Sequence, residues 1–330
     1  MEYKAAIAGC GGISAVHEDA LNTLGIEIAA VCDPVSEKTA RFDCAKYEGF
    51  EEMLEMGGFD VMHICLPHFL HAPAAIYAME RGVHVLSEKP MATVVADAKE
   101  MIATAAAQDV TLGVIFQNRY NTASQLVKSA LVSGKLGKVK SGWLKVTWHR
   151  DEKYYTESAW RGRWSTEGGG ALINQSIHTF DLANYFIGTR PSAVEASIAN
   201  RAHPSIEVED VAEGIISYGD IKISFFASTI HPYDAPVELE LICENGRASI
   251  AGATAVIEYT DGTTETANQE DSAIGKSYWG SSHIRQIEAF YASLSRGEKP
   301  EIDGEEAIKT QRLICGIYDS AKSGKRVDLT

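Results

Sequence analysis

The chain has 330 residues, 45% hydrophobic and 23% charged, the composition of an ordinary globular protein long enough for two domains. Its net charge of −15 argues against a nucleic-acid partner, because neutralising phosphates takes clustered lysine and arginine. Six cysteines lie scattered without a C-x-x-C pair, no apolar run reaches the ~18 residues of a membrane span, and no signal peptide is expected before the first strand, so we expect a soluble cytoplasmic protein.

Lys4 to Gly9 reads as a short buried strand, followed at once by Gly9-Cys10-Gly11-Gly12-Ile13-Ser14. Ile13, Val16, His17, Ala20, Leu21 and Leu24 then recur at helical spacing. A strand, a glycine-rich turn and a helix in this order make a pyrophosphate site. Gly9 permits the turn, Gly11 and Gly12 let backbone approach the phosphates, and Ile13 opens the helix. Ser14 replaces the third glycine of the usual pattern, a position that governs helix–strand packing. A second strand, Ile26 to Cys32, ends at Asp33, whose carboxylate can accept from both hydroxyls of an adenosine ribose. Asp33 would repel a 2′-phosphate, and Pro34-Val35-Ser36-Glu37 offers no arginine, so NAD is expected over NADP.

The alternation continues. Helices are expected over 36–45 (capped by Ser36), 50–55, 72–81 and 94–108, and strands over 60–66, 83–87 and 111–116. A βαβα series predicts a doubly wound parallel sheet, with ligands beyond the carboxyl ends of its strands. Two loops fall at that edge: Pro67 to His71, and Glu88-Lys89-Pro90. Pro67, His71, Glu88 and Lys89 are expected against the cofactor, with packing against the loop the other reading for His68 and His71. His63, His68 and His71 lack an accompanying carboxylate, so no metal site is expected. A lysine fixed before Pro90, where a cis bond is possible, can polarise a substrate oxygen; spacing alone fits a solvated turn lysine equally well.

The glycine turn, Asp33-Pro34, His63-Ile64-Cys65-Leu66-Pro67-His68 and Glu88-Lys89-Pro90-Met91 together resemble the Gfo/Idh/MocA oxidoreductase family, which includes glucose–fructose oxidoreductase and inositol dehydrogenase. The resemblance extends over essentially the whole chain. It implies that Lys89, at the lysine of the family's E-K-P tripeptide, is catalytic.

Gln117-Asn118-Arg119-Tyr120 leaves the last strand of the first domain, and Tyr120 is a candidate substrate contact. The expected boundary lies there: a dinucleotide-binding Rossmann domain over 1–121, and a substrate-binding and oligomerisation α+β domain over 122–330. A helix over 123–133 precedes segments of alternating polarity at 139–150, 193–201, 212–218, 221–229 and 237–243. Glu244-Asn245-Gly246-Arg247 signals a type I′ hairpin. These predict an open, mainly antiparallel sheet with helices on one face. A second subunit would cover the other, giving a homodimer or homotetramer.

Between the first two of these segments stand Trp160-Arg161-Gly162-Arg163-Trp164 and Gly168-Gly169-Gly170, then a helix carrying Asn174, His178 and Asp181 at spacings of four and three. The glycines would let backbone approach a ligand. A histidine presented this way can move a hydroxyl proton; packing between helices is the other reading. The resemblance implies that His178 is the catalytic histidine and Asp181 a structural acid. Asn174 stands where the inositol and glucose enzymes have aspartate, a departure resembling members that act on sugar-nucleotide uronates or poorly defined sugars. Trp160 and Arg161 resemble the loop reaching over the cofactor, with Arg161 a ligand for pyrophosphate or a substrate carboxylate; a surface arginine stacked between tryptophans is the other reading. Residues 260–277 read as a loop, with Tyr278-Trp279-Gly280 as a lid or subunit contact; helices follow over 282–295 and 304–321.

The expectation is an NAD-dependent dehydrogenase or reductase of a sugar, cyclic polyol or sugar derivative. One rival uses the same residues: a redox-neutral glycosidase or epimerase that recycles NAD. A second, a non-catalytic dinucleotide sensor, would have no need of both Lys89 and His178.

Overall fold

The computed structural model describes residues 3–268 and 282–329, so the Tyr278-Trp279-Gly280 stretch lies outside the described residues. The chain divides into two compact units, Met1–Gln117 with Ser282–Ile308, and Asn118–Ser281 with Lys309–Thr330. Residues 282–308, assigned from sequence to the second domain, therefore belong to the first unit.

The first unit is a parallel sheet with helical crossovers. Its elements are β1 (Ala5–Ala8), α1 (Ser14–Thr23), β2 (Ile28–Cys32), α2 (Ser36–Thr39), β3 (Ala45–Tyr47), α3 (Phe50–Met56), β4 (Val61–Ile64), α4 (His71–Met79), β5 (His84–Ser87), α5 (Val95–Ala107) and β6 (Leu112–Val114). The strand order is β3-β2-β1-β4-β5-β6, that of a doubly wound dinucleotide fold. β1 and β4 are buried at every position, as strands covered on both faces must be. The helix expected over 36–45 is a correction. It closes after one turn without a side-chain cap from Ser36, and 45–47 instead pairs with β2. A single turn is a marginal helix, whereas the open edge of β2 supplies backbone partners.

The second unit contains α6 (Thr122–Val132), β7 (Val139–Thr147), α7 (Glu152–Thr156), a π-helical stretch (Ala171–Ser176), α8 (Ile177–Ile187), β8 (Ala193–Ala199), β9 (Val211–Tyr218), β10 (Ile221–Ser228), β11 (Glu238–Cys243), β12 (Gly246–Ala251), β13 (Thr254–Tyr259) and β14 (Thr264–Asn268). With the terminal β15 (Val327–Asp328) they form a nine-stranded sheet ordered β14-β13-β12-β11-β7-β10-β9-β8-β15, antiparallel except for β7 with β10. α6 and α8 pack on it. Two details differ from the sequence reading. Cys243 pairs with Gly246, so the hairpin turns on Glu244-Asn245; neither has positive φ, which rules out type I′. Part of the expected loop, 264–268, is β14, pairing with β13 across Asp261-Gly262.

α9 (His283–Arg296) returns to the first unit. Its Ile287, Phe290, Tyr291 and Leu294 join Ile7, Leu21, Val31 and Val61 in one core. α10 (Gly304–Ser323) follows. Among the described residues no helix is long and apolar enough to cross a membrane.

Candidate active site

In the first unit, register builds the site. Ala8 pairs with Cys32 and with Ile64, and Ile64 with Ser87. Gly9, Asp33, Cys65 and Glu88 are thus the next residues out along one row at the carboxyl edge. The row is stitched by Gly9 N–H to Cys32 O (2.8 Å), Cys65 N–H to Ala8 O (2.7 Å) and Glu88 N–H to Ile64 O (2.9 Å).

Gly9 has φ +90°, and a Cβ there would sit 2.6 Å from Cys65 O, so β4 itself demands the glycine. At Gly11 and Gly12 a Cβ would meet nothing within 4 Å. Their open side leaves room for a ligand to approach the backbone. Ile13 is half-buried beside it, and Ser14 donates to Gly11 O at 2.6 Å. Asp33 is buried; it accepts from Cys10 N (3.0 Å) and Val35 N (2.9 Å), with Lys38 Nζ 3.5 Å from Oδ1. A carboxylate has lone pairs beyond these two bonds, so the residues present fit a dinucleotide.

In the edge loops, Pro67 is half-buried at the start of the 3-10 turn His68–Leu70. His71 is buried with Nδ1 2.7 Å from Pro90 O and Nε2 2.8 Å from Leu66 O. It ties the two loops together. The Lys89–Pro90 bond is cis. Lys89 is half-buried between buried Glu88 and Pro90, and its N–H donates to Glu88 Oε2 at 3.2 Å.

Glu88 anchors a network that sequence reasoning missed. His17 Nε2 and His283 Nε2 lie 3.1 and 3.4 Å from its Oε1. His17 Nδ1 is 2.8 Å from His63 Nδ1, and His63 Nε2 is 2.9 Å from Tyr291 Oη. Burial alone would raise the Glu88 carboxyl, but bonds from His17 and His283 outweigh it and hold the group well below the carboxylate range. Burial drives His63 and His283 below the ordinary imidazole range. Ionised Glu88 only accepts, so His17 and His283 each donate to it through Nε2. His63 is therefore a core residue, and among the described residues no His, Cys, Asp and Glu cluster could hold a metal ion.

In the second unit, Tyr120 is half-buried at the end of the 3-10 turn Gln117–Tyr120. Between 171 and 184 only Asn174 and His178 keep partial exposure. The regular helix expected there is a correction, since Asn174 lies in the π-helical stretch and His178 in α8. Asp181 forms a buried bidentate pair with Arg119, at 2.7 Å for both bonds, and accepts from Thr310 Oγ1 at 3.0 Å; it is structural. Gly169 and Gly170 make room for the protein's own packing. A Cβ at Gly169 would fall 1.9 Å from Tyr318 Oη, and one at Gly170 2.1 Å from Glu209 O. Glu209 accepts from Gly170 N, Leu172 N and Tyr318 Oη, clamping the start of the stretch, and burial pushes its carboxyl up to about 7. Arg161 stacks on the Tyr154 ring at 4.3 Å and on Trp160 at 5.0 Å. Asn174 Nδ2 donates to Glu167 Oε1 (2.5 Å) and Tyr154 Oη (3.2 Å). Tyr154 and Glu167 gave no sequence signal beyond lying in the same glycine- and tryptophan-rich stretch.

Residues 3–116 match the family model described as "Oxidoreductase family, NAD-binding Rossmann fold", and residues 124–249 match "GFO/IDH/MocA C-terminal domain". The first unit is an NAD-binding Rossmann domain. D-glucoside 3-dehydrogenase of Escherichia coli is 27% identical, over 99% of this chain and 97% of its own. D-xylose 1-dehydrogenase (NADP(+)) 2 of Haloferax volcanii is 26% identical, over 91% and 88%. The WlbA dehydrogenase of Bordetella pertussis, solved with NADH and UDP-GlcNAcA, superposes with a TM-score of 0.87 at 29% identity, over 100% of this chain and 99% of its own.

Proposed function

Because this chain belongs to the Gfo/Idh/MocA oxidoreductase family, we propose that it interconverts a hydroxyl and a keto carbon on a sugar, cyclic polyol or sugar derivative, with NAD as hydride partner. When bound, nicotinamide supplies the hydride acceptor or donor. The observation that carries the reading is the register row of the first unit. Glu88-Lys89 leaves the sheet at the same edge as the glycine turn and Asp33. Gly9, Gly11, Gly12 and Ile13 receive the pyrophosphate, and Asp33 the ribose. Pro67, His71 and Glu88 hold the loops that border them.

Lys89 polarises the reacting oxygen and stabilises its negative charge. His178 takes the hydroxyl proton in the oxidative direction and returns it in the reverse. Asn174, Tyr120, Trp160 and Arg161 orient the substrate. The named sugar dehydrogenases among the relatives support a carbohydrate as the substrate class. Lys89→Ala should lower kcat by about 10²–10⁴-fold in an NADH-absorbance assay while NAD still binds. Undiminished turnover in that variant would remove the mechanism, and turnover without net NADH would move the protein to the NAD-recycling class.

We also propose a homodimer or homotetramer built on the outer face of the nine-stranded sheet. Ile215, Phe226 and Ile242 are exposed there beside half-buried Trp143, an apolar patch that a second copy would cover. Light scattering that returns the 35.8 kDa mass of one chain at micromolar concentration would refute it. All six cysteines are free thiols, which supports a cytoplasmic location.

A further inference from the structure

The first N–H groups of a helix have no partner within the helix itself. At the π-helical stretch, which carries Asn174 and leads into α8 with His178, the four from Gly170 to Ile173 are taken by two distant residues. Gly170 N donates to Glu209 Oε2 and Leu172 N to Oε1, both at 2.9 Å. Ala171 N donates to the backbone oxygen of the same Glu209 at 3.1 Å. Ile173 N donates to Tyr318 Oη at 3.3 Å, and that hydroxyl donates in turn to Glu209 Oε1 at 3.0 Å. A side chain at the cap position itself is excluded, because a Cβ on Gly170 would fall 2.1 Å from Glu209 O. A buried carboxylate from the residues before β9 therefore does what a local cap does elsewhere, and its charge suits the positive end of the helix.

Both partners are braced in turn. Asp210, next to Glu209 and also buried, accepts from Arg201 N and Ala202 N at 2.8 Å. Tyr318, on α10, meets the Trp164 ring edge-on at 5.1 Å, and Trp164 Nε1 donates to Glu207 O at 3.0 Å. Burial and the Glu209 carboxylate push the Tyr318 phenol well above its ordinary value, so it stays a donor. On the other side of the clamp, Asn174 N donates to Gly170 O at 3.1 Å, so Asn174 hangs directly on a clamped residue. His178 follows four residues on.

We propose that Glu209, backed by Tyr318, is the positioning residue that sets Asn174 and His178 for the hydroxyl–keto chemistry proposed above, on which this role rests. Both act through the backbone of residues 170–173 and not on the reacting atoms. Placement of reacting groups is sensitive to shifts of about 1 Å, so a cap of four bonds at the start of the stretch governs turnover as well as stability.

The test compares wild type with Glu209→Gln and Tyr318→Phe, using NAD with D-glucose, D-xylose and D-glucuronate and following NADH absorbance. Assays run well below each melting midpoint and at about pH 8.5, above the value of about 7 to which burial raises Glu209. Whichever way the Gln amide turns, at least one NH₂ faces an N–H or O–H donor. In Glu209→Gln kcat should fall about ten- to a hundredfold and the sugar KM should rise, while the NAD KM holds, because NAD binds the first unit. Tyr318→Phe keeps the ring against Trp164 and loses only the hydroxyl; its kcat should fall about three- to tenfold with the same split. An unchanged kcat in either folded variant overturns the proposal, so Tyr318→Phe decides it where Glu209→Gln does not fold. A NAD KM that rises in step with the loss of kcat also overturns it, since that marks general loosening. Wild type without turnover on any of the three sugars removes the dehydrogenase reading and this role together, whereas full turnover in wild type and both variants removes this role alone.

Discussion

His17 Nε2 lies 3.1 Å from Glu88 Oε1, joining the helix that opens the glycine turn to the residue before Lys89, 71 positions away. The pair is buried, and Glu88 also receives His283 and the Lys89 N–H. One carboxylate therefore sets both the helix behind the pyrophosphate turn and the backbone of the lysine.

Glu88→Gln separates those two duties. The amide keeps an oxygen for the imidazoles but presents NH₂ to the Lys89 N–H, donor against donor. Turnover should fall about ten- to a hundredfold while NAD affinity changes little. Steady-state kinetics beside an NAD fluorescence titration would check this; an unchanged kcat would mean that the Lys89 backbone needs no such anchor.

Acid should destabilise the protein earlier than its carboxylates alone would require. His63 and His283 sit below the ordinary imidazole range in the fold, whereas in the unfolded chain they take up protons near pH ~6.5. Below that pH the unfolded chain binds more protons, so stability drops as pH falls from about 6.5 towards their lowered folded values. Glu88 adds to the trend: its contribution is whole above pH ~4.3 and is lost as pH falls through its depressed folded value. Glu209 opposes both, because raising its carboxyl to about 7 costs stability as pH climbs from its unfolded value to there. Thermal midpoints of wild type and His283→Asn should show a flatter acid slope in the variant; parallel slopes would clear His283 of the effect.

The two glycines of the turn should fail differently. Gly9→Ala drives a methyl into Cys65 O and forces a left-handed backbone on a side chain, so the folded protein should lose at least ~2 kcal/mol. Gly11→Ala meets no protein atom, so its melting temperature without ligand should hold while NAD binding weakens. Melting curves with and without NAD would decide, and equal thermal losses in both variants would contradict the distinction.

Much of this was legible because it is local. Strand, glycine turn, helix and terminal Asp33 follow one another within a few dozen residues, and the tripeptide Glu88-Lys89-Pro90 directly follows its strand. What sequence does not carry is which distant groups share a bond. His283 reaches Glu88 only because α9 packs beside α1. Tyr154 Oη accepts from Asn174 and Gln175, residues twenty and more positions further along the chain, a meeting that composition cannot encode. The glycine run misleads for a related reason: Gly169 and Gly170 make room for Tyr318 and Glu209, neighbours invisible in the run itself. The Asn245-Gly246 pair suits a tight turn by propensity, yet pairing of Cys243 with Gly246 moves the turn back one residue.

The return of α9 has a bearing on how the polypeptide is made. Ile287, Phe290, Tyr291 and Leu294 complete a hydrophobic core whose remaining members are encoded before residue 120. A ribosome releases the glycine turn long before the helix that finishes its support. The nucleotide half, first to emerge, is among the last parts to be finished, and its unpaired apolar surface must wait while most of the other half is synthesised.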